Sequence, residues 1–376
     1  MKKTKVFAAY LPQFHEIPEN NEFWGEGFTD WINVKNAKPL FGGHQQPKVP
    51  ENDFYYDLTD VRTIQWQAKL AKEHGLDGFN IYHYWFKDGK KVLEKPAEIL
   101  LSHPEVAISY FLTWDNCSWV RTWGKHAGNA WSPVSDKDKA GDSMLLKMEY
   151  GDQEQWGKHF DYLKQFFEDP RYLKIEGKPV LGFMAEVDKD KLKKMCEFWR
   201  ELAVSNGFPG LYLISNKSII GKNFLDSSFI YEPRSSAWRV RSGIEKRLNN
   251  LLGIQIGKNR KVKYMYSYDK VWKRILRNAK KTRNRPILPG AFVNYDDSPR
   301  RGREAAIIFG SEPDKFYKYF KKLYEFCCET EKEILIITAW NEWGEGAYLE
   351  PDTQKHCDYL EALKRALRET WGVFQG

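Results

Sequence analysis

The sequence lacks any run of about 18 apolar residues, so no segment reads as a membrane-spanning helix. Cysteine is scarce. Cys117, Cys196, Cys327, Cys328 and Cys357 are odd in number and show no metal-ligand spacing, which argues against a disulfide framework or a zinc site and points to a reduced, intracellular setting. Cys327 and Cys328 read as buried or half-buried positions of a helix. A Gly-rich phosphate loop is also missing, which argues against the common nucleotide sites. The opening MKKTKVFAAYLPQFH is basic, but its apolar part runs only from Val6 to Leu11 and meets Pro12 without a small-residue cleavage site. It reads as a first strand, and the expected location is the cytoplasm, at most peripheral to the inner face of a membrane. The residues call for no metal and no cofactor.

Aromatic residues are abundant. They make up 15% of the 376 residues, with Trp 15, Tyr 20 and Phe 23, more than packing ordinarily needs, and sugar sites use stacked rings. The stretch around which the chain is organised is Glu333 to Pro351, EILIITAWNEWGEGAYLEP. Ile334 to Ile337 is an aliphatic run too short for a helix, and it reads as a strand buried on both faces. Where it ends, Glu342 and Glu345 stand three residues apart among Trp340, Asn341 and Trp343. Cleaving a glycosidic bond needs one carboxyl kept protonated for the leaving oxygen and a second kept ionised beside the ring. On a helical turn such a pair has Cβ atoms roughly 5–6 Å apart, and repulsion plus indole desolvation raises one pKa. Trp340 and Trp343 are expected to offer flat faces to sugar C–H groups. The plain alternative is a solvated turn with the tryptophans packed inside.

In chain order, strands and helices alternate. Strands are read at Lys5–Leu11, Gly78–Tyr82, Val106–Trp114, Pro179–Met184, Leu211–Ile214, Ser228–Tyr231, Pro286–Val293 and Ile334–Ile337, the fourth ending near Glu186 and the sixth at Glu232. Helices stand between most of them; Thr59–His74, with Asp60 as N-cap and Gly75 as its stop, is one. The pattern predicts an α/β fold, a single (β/α)8 barrel over residues 1–376 with long βα loops. Polar and aromatic clusters follow the strand ends, where barrels place their sites. The candidates are Tyr10, Gln13, His15, Trp24 and Glu26 from the first connection, His83, Tyr84 and Trp85 after the second strand, and Trp114, Asp115 and Asn116 after the third. Asn294, Asp296 and Arg300 follow the seventh. A satisfied histidine among aromatics is the plain reading of His83, and structural ion pairing that of Arg300.

Residues 235–285 form a long insertion after the sixth strand. From Lys258 to Arg285 its cations face a single acid, Asp269. Val271, Trp272, Ile275 and Leu276 form an apolar stripe there, which suits an anionic membrane surface or a phosphate-bearing, lipid-linked glycan. A solvated helix covering the barrel is the preferred reading; nucleic acid is not expected, since no recognition fold accompanies the charge.

YLPQFH (Tyr10 to His15), FWGEGFTDW (Phe23 to Trp31), LAKEHGLDGFNIYHYWF (Leu70 to Phe86), the Asp169–Tyr172 segment followed by GKPV, DDSPRRG (Asp296 to Gly302) and WNEWGEGAYLEPD (Trp340 to Asp352) together resemble WbsX-type proteins. These are sugar-polymer biosynthesis proteins assigned as glycosyltransferases, and their barrel is similar to that of the endo-α-mannosidase glycoside hydrolases. The resemblance implies overall retention. Glu345 would be the acid/base at the glycosidic oxygen, and Glu342 the base that deprotonates the sugar 2-hydroxyl, giving a 1,2-anhydro intermediate. Relatives commonly have Trp-Ala-Asn-Glu after the third strand, where this chain has Trp114, Asp115, Asn116 and Cys117. A sugar-facing glutamate is missing there. The expected function is that of a retaining, endo-α-mannosidase-like enzyme on an α-linked glycan. One alternative is a glycosyltransferase or transglycosylase building cell-surface polysaccharide (O-antigen or capsule), and another a non-catalytic glycan-binding protein.

Overall fold

The computed structural model describes residues 3–121, 143–185, 187–216, 224–240, 262 and 264–375. Its main sheet is built from parallel strands β1 (Lys5–Tyr10), β2 (Gly78–His83), β3 (Ser109–Trp114), β4 (Lys178–Phe183), β5 (Tyr212–Ser215), β6 (Ser227–Phe229), β7 (Ile287–Leu288), β8 (Gly290–Phe292) and β9 (Ile334–Thr338). They are joined in the order β7-β6-β5-β4-β3-β2-β1-β9-β8. Since β7 and β8 are two halves of one strand interrupted at Pro289, the sheet returns on itself as an eight-position (β/α) barrel. All eight expected strands are present. Pro289 has no N–H to give a ladder, and the halves divide their pairing, β7 bonding to β6 and β8 to β9. Gly290 makes that junction possible: a Cβ there would lie 1.9 Å from the Ile230 carbonyl oxygen.

Strand β9 is buried at every position, as a strand between barrel core and helix layer must be. Helices cover the barrel after β1 (Val61–Glu73), β2 (Lys95–Ser102), β3 (Gln153–Glu168), β4 (Lys189–Ser205), β6 (Tyr268–Lys281), β8 (Pro313–Glu329) and β9 (Asp358–Gln375). Asp60 caps the first of these, its side chain accepting from the Arg62 N–H. Cys327 and Cys328 are buried on the Pro313–Glu329 helix.

The basic insertion is described in part. Glu186 and the cations Lys258, Arg260, Lys261 and Lys263 lie outside the described residues. Helix Tyr268–Lys281 is the barrel's covering helix after β6, and its apolar stripe packs against the barrel. Val271, Trp272 and Ile275 are buried, and Trp272 stacks on Phe292 and Tyr319 with ring planes 19° and 7° apart. A membrane-facing stripe is therefore corrected. The apolar residues face the barrel and leave lysines and arginines outside. Among the described residues no helix is long and apolar enough to cross a membrane.

Candidate active site

Beyond β9 the chain forms a two-residue hairpin, Asn341–Glu342 against Ala347–Tyr348, closed by a 3-10 turn over Trp343–Glu345. Glu342 thus leaves from an extended segment and Glu345 from a turn, where an α-helical turn was expected. Their common partner is Arg300. Its Nη2 lies 3.3 Å from Glu342 Oε2 and its Nη1 3.4 Å from Glu345 Oε1. The other edge of the guanidinium is held by Asp30, with Nε to Oδ1 at 3.1 Å and Nη2 to Oδ2 at 2.7 Å. All four groups are buried. Gly344 is required by this arrangement, since a Cβ on it would come within 2.4 Å of both Arg300 Nε and Asp30 Oδ2.

Among the described residues Arg300 is the cation in ion-pair contact with these three carboxylates, and Arg234 acts on Glu345 from farther off. Burial, with the Glu345 and Asp30 charges added, pushes Glu342 up to about 8 against the pull of Arg300. Glu342 therefore keeps its proton near neutral pH. Around it stand phenols: burial raises Tyr82 and Tyr84, and the Glu342 charge raises them further, while Glu345 does the same to Tyr231 and Tyr295. Tyr82 and Tyr231 lie close enough to act on each other. Asp297 is pushed up to about 7 by burial and by the Glu345 charge, against the attraction of Arg301.

The candidates from the sequence separate into groups. Glu342, Glu345 and Arg300 meet, and Tyr84 lies near enough to feel both Glu342 and Asp115. Asp115 is pushed up to about 6 by burial, and Cys117, at the position where the resemblance implies a glutamate, lies close enough to draw it back down. Asp296 is tied to the turn through its backbone, its N–H donating to the Glu345 carbonyl. Its carboxylate takes His44 Nε2 and Gln46 Nε2, each at 2.7 Å, and these bonds outweigh burial and lower its pKa.

The others serve the walls. Asn341 clasps the end of β1, accepting from the Leu11 N–H at 2.7 Å and donating to the Leu11 carbonyl at 3.0 Å. Asn116 does the same for Ala185 after β4 and donates to Tyr150 as well. Tyr10 donates to Gln67. His83 turns outward to His159, Nε2 to Nε2 at 2.8 Å, and burial holds it near 3. Trp85 stacks on His159 with planes 3° apart, and Trp114 donates its indole N–H to the Trp85 carbonyl. His15 is buried, which pushes it down to about 4. Trp24 packs on Phe23 and Phe28, and Asn294 accepts from Ser311. The open ring faces expected of Trp340 and Trp343 are corrected: they are 0% and 1% exposed, packed on Phe79 and Tyr348. Hydrophobic burial claims both rings.

Asp30 was not singled out from sequence: it stands in the first connection, which reads as a loop, whereas in the structure it opens the helix Asp30–Asn36. Glu350 was missed too. It accepts from Trp343 Nε1, Tyr56 Oη and Gln67 Nε2 at 2.6, 2.7 and 2.7 Å, and burial pushes it up to about 7. Its signal was its place in the motif of the glutamate pair, eight residues beyond Glu342.

Residues 6–363 match the family described as Glycosyltransferase WbsX. The chain belongs to that WbsX family. A relative, an uncharacterized protein WxcX of Xanthomonas campestris pv. campestris, is 27% identical over 368 residues, which are 96% of this chain and 49% of that protein. The chain thus spans about half the length of the curated relatives it matches. Among solved structures, the GH99 endo-alpha-mannosidase from Bacteroides thetaiotaomicron superposes on this WbsX chain with a TM-score of 0.58 at 14% identity, covering 99% of this chain and 98% of that one. A chain described as a glycoside hydrolase-like protein superposes with a TM-score of 0.57 at 12% identity, covering 98% and 94%. These likenesses show the fold: a glycoside-hydrolase-like barrel in a glycosyltransferase family.

Proposed function

We propose that the chain is a carbohydrate-active enzyme that opens an α-linked glycosidic bond with retention, using Glu342 and Glu345. The observation that carries this reading is the sharing of Arg300 by two buried carboxyls, 3.3 and 3.4 Å from its two terminal nitrogens, at the C-terminal end of the barrel. Burial keeps a proton on Glu342 beside the second carboxyl, and a proton held at such a site is what acid-assisted departure of a sugar oxygen needs. Following the roles the resemblance implies, Glu345 gives a proton to the leaving oxygen while Glu342 takes one from the 2-hydroxyl. Burial favours the proton on Glu342, so sugar binding has to move it, with the 2-hydroxyl and the glycosidic oxygen as the two partners. Arg300, held by Asp30, fixes both carboxyls and balances the charge that develops on them.

The family favours a second reading, in which a sugar rather than water completes the reaction and the product is a cell-surface polysaccharide. A cytoplasmic location goes with it. One experiment tests both: NMR-monitored turnover of α-mannosyl fluoride and α-mannan oligosaccharides, with and without a sugar acceptor, in wild type and Glu345→Gln. Release of free sugar of retained configuration that needs Glu345 is the expected result. Product formed only with acceptor moves the enzyme to transfer, and turnover unchanged in Glu345→Gln overturns the role of the pair.

A further inference from the structure

Helices Arg234–Val240 and Tyr268–Lys281 follow β6 and pack on each other. Residues of both helices and of the ends of β6 and β7 line a common space. A cavity of about 570 Å³ lies there, within the size range of small-ligand sites. Its walls carry Arg239, Arg274, Lys281 and Arg285. None of these four forms an ion pair with a described residue, and the Nε of Arg274 is buried without a hydrogen-bond acceptor. A buried guanidinium N–H left unpaired is costly, which points to an absent acceptor. The acid in the wall, Glu232, does not supply it: its two oxygens accept from the Ser236 hydroxyl and N–H at 2.7 and 3.0 Å. Ile230, Ile275, Ile287 and Pro289 give the same cavity an apolar side.

We infer that this cavity binds a phosphate or diphosphate ester, its oxygens held by Arg239, Arg274, Lys281 and Arg285 and its organic part lying on the isoleucines. Guanidinium forks match phosphate oxygens two at a time, and four cations around one open cavity suit a compact, multiply charged group better than charges spaced along a polymer. The site is separate from the carboxylate pair, so it stands or falls independently of the reaction proposed above. The same phosphate chemistry is carried by soluble sugar-nucleotide-type esters and by lipid-linked glycans.

The test uses the full chain and calorimetric titration with inorganic pyrophosphate and with a nucleoside diphosphate at low ionic strength, beside flotation with vesicles of neutral lipid with and without a polyprenyl phosphate. Binding that weakens about tenfold or more in Arg239→Ala/Arg274→Ala is expected. Lys270→Ala/Lys273→Ala, which removes equal charge from exposed positions outside the cavity, should leave it unchanged. If the first double variant fails to fold, Lys281→Ala/Arg285→Ala, both exposed, serves in its place. Soluble ligands alone bound through these residues assign a soluble ester, and phosphate-dependent flotation through them a lipid-linked one. No binding of any probe, or binding that falls equally in the Lys270/Lys273 variant, overturns the inference.

Discussion

Gly344 lies under the Arg300–Asp30 fork so closely that a Cβ at position 344 would stand 2.4 Å from an atom of each. Neither group can retreat, because both are buried side chains held to each other through two hydrogen bonds. Gly344→Ala should therefore push the fork away from the turn that carries Glu345. Overpacking of this kind costs about 1–3 kcal/mol. The expected result is a lower denaturation midpoint together with a larger fall in turnover than the stability loss alone explains. A variant with wild-type stability and turnover would show that the fork tolerates displacement.

Asp30 and the glutamate pair compete for one guanidinium. Asp30→Asn leaves Arg300 to the two glutamates, and it also breaks a fully buried ion pair, a change that costs about 3–5 kcal/mol. Greater attraction from Arg300 favours the ionised form of Glu342. Its titration should move to lower pH, so the alkaline limb of the pH–rate profile shifts to lower pH in this variant. A profile that stays in place would disconnect Asp30 from the pair.

Several buried carboxyls resist ionisation, and this sets a direction for stability against pH. Glu232 is pushed up to about 7 by burial, against the two bonds from Ser236. A carboxyl whose folded value is raised binds its proton more tightly when folded. Its stabilising effect is complete below the unfolded value of about 4.5 and is lost as pH rises through 7, on the order of 3 kcal/mol for this group. Urea denaturation should show wild type losing stability between these limits relative to a variant without this carboxyl, the buried His15 and His83 giving both proteins the same opposite contribution. Glu232→Gln should flatten the slope, since Ser236 Oγ can accept from the amide while its N–H still donates. An unchanged slope would assign the pH dependence to other groups.

The barrel was legible because its strands are short aliphatic runs ending in polar clusters, a pattern that depends only on burial. Pro289 and the paired halves β7 and β8 show the limit: the proline was inside a strand read as continuous, and only the neighbours' registers reveal the break. For the site, spacing pointed to Glu342 and Glu345 but not to their partner's partner. Asp30 is 270 positions from Arg300, in a connection that reads as a loop. Ring direction was equally hidden. His83 and Trp114 close their strands and Trp340 and Trp343 lie just beyond one, yet each turns into packing; for the first two, a strand's successive side chains face opposite ways and only its register decides which face meets the cavity.

Asn341 offers a clear separation between wall and ligand contact. Both ends of its amide bond the backbone of Leu11, 330 positions away, at 2.7 and 3.0 Å. Asn341→Ala leaves that N–H and carbonyl buried without partners, each at a cost of about 1–3 kcal/mol. β1 and the hairpin bearing Glu342 then lose their direct tie. The expected outcome is a marked loss of stability, with turnover falling through kcat as Glu342 loses its fixed position. Were Asn341 a sugar ligand, KM would rise while the denaturation midpoint stayed near wild type. Measuring urea denaturation and the separate kinetic constants on the same preparation decides between the two, and a rise in KM alone would return Asn341 to the substrate.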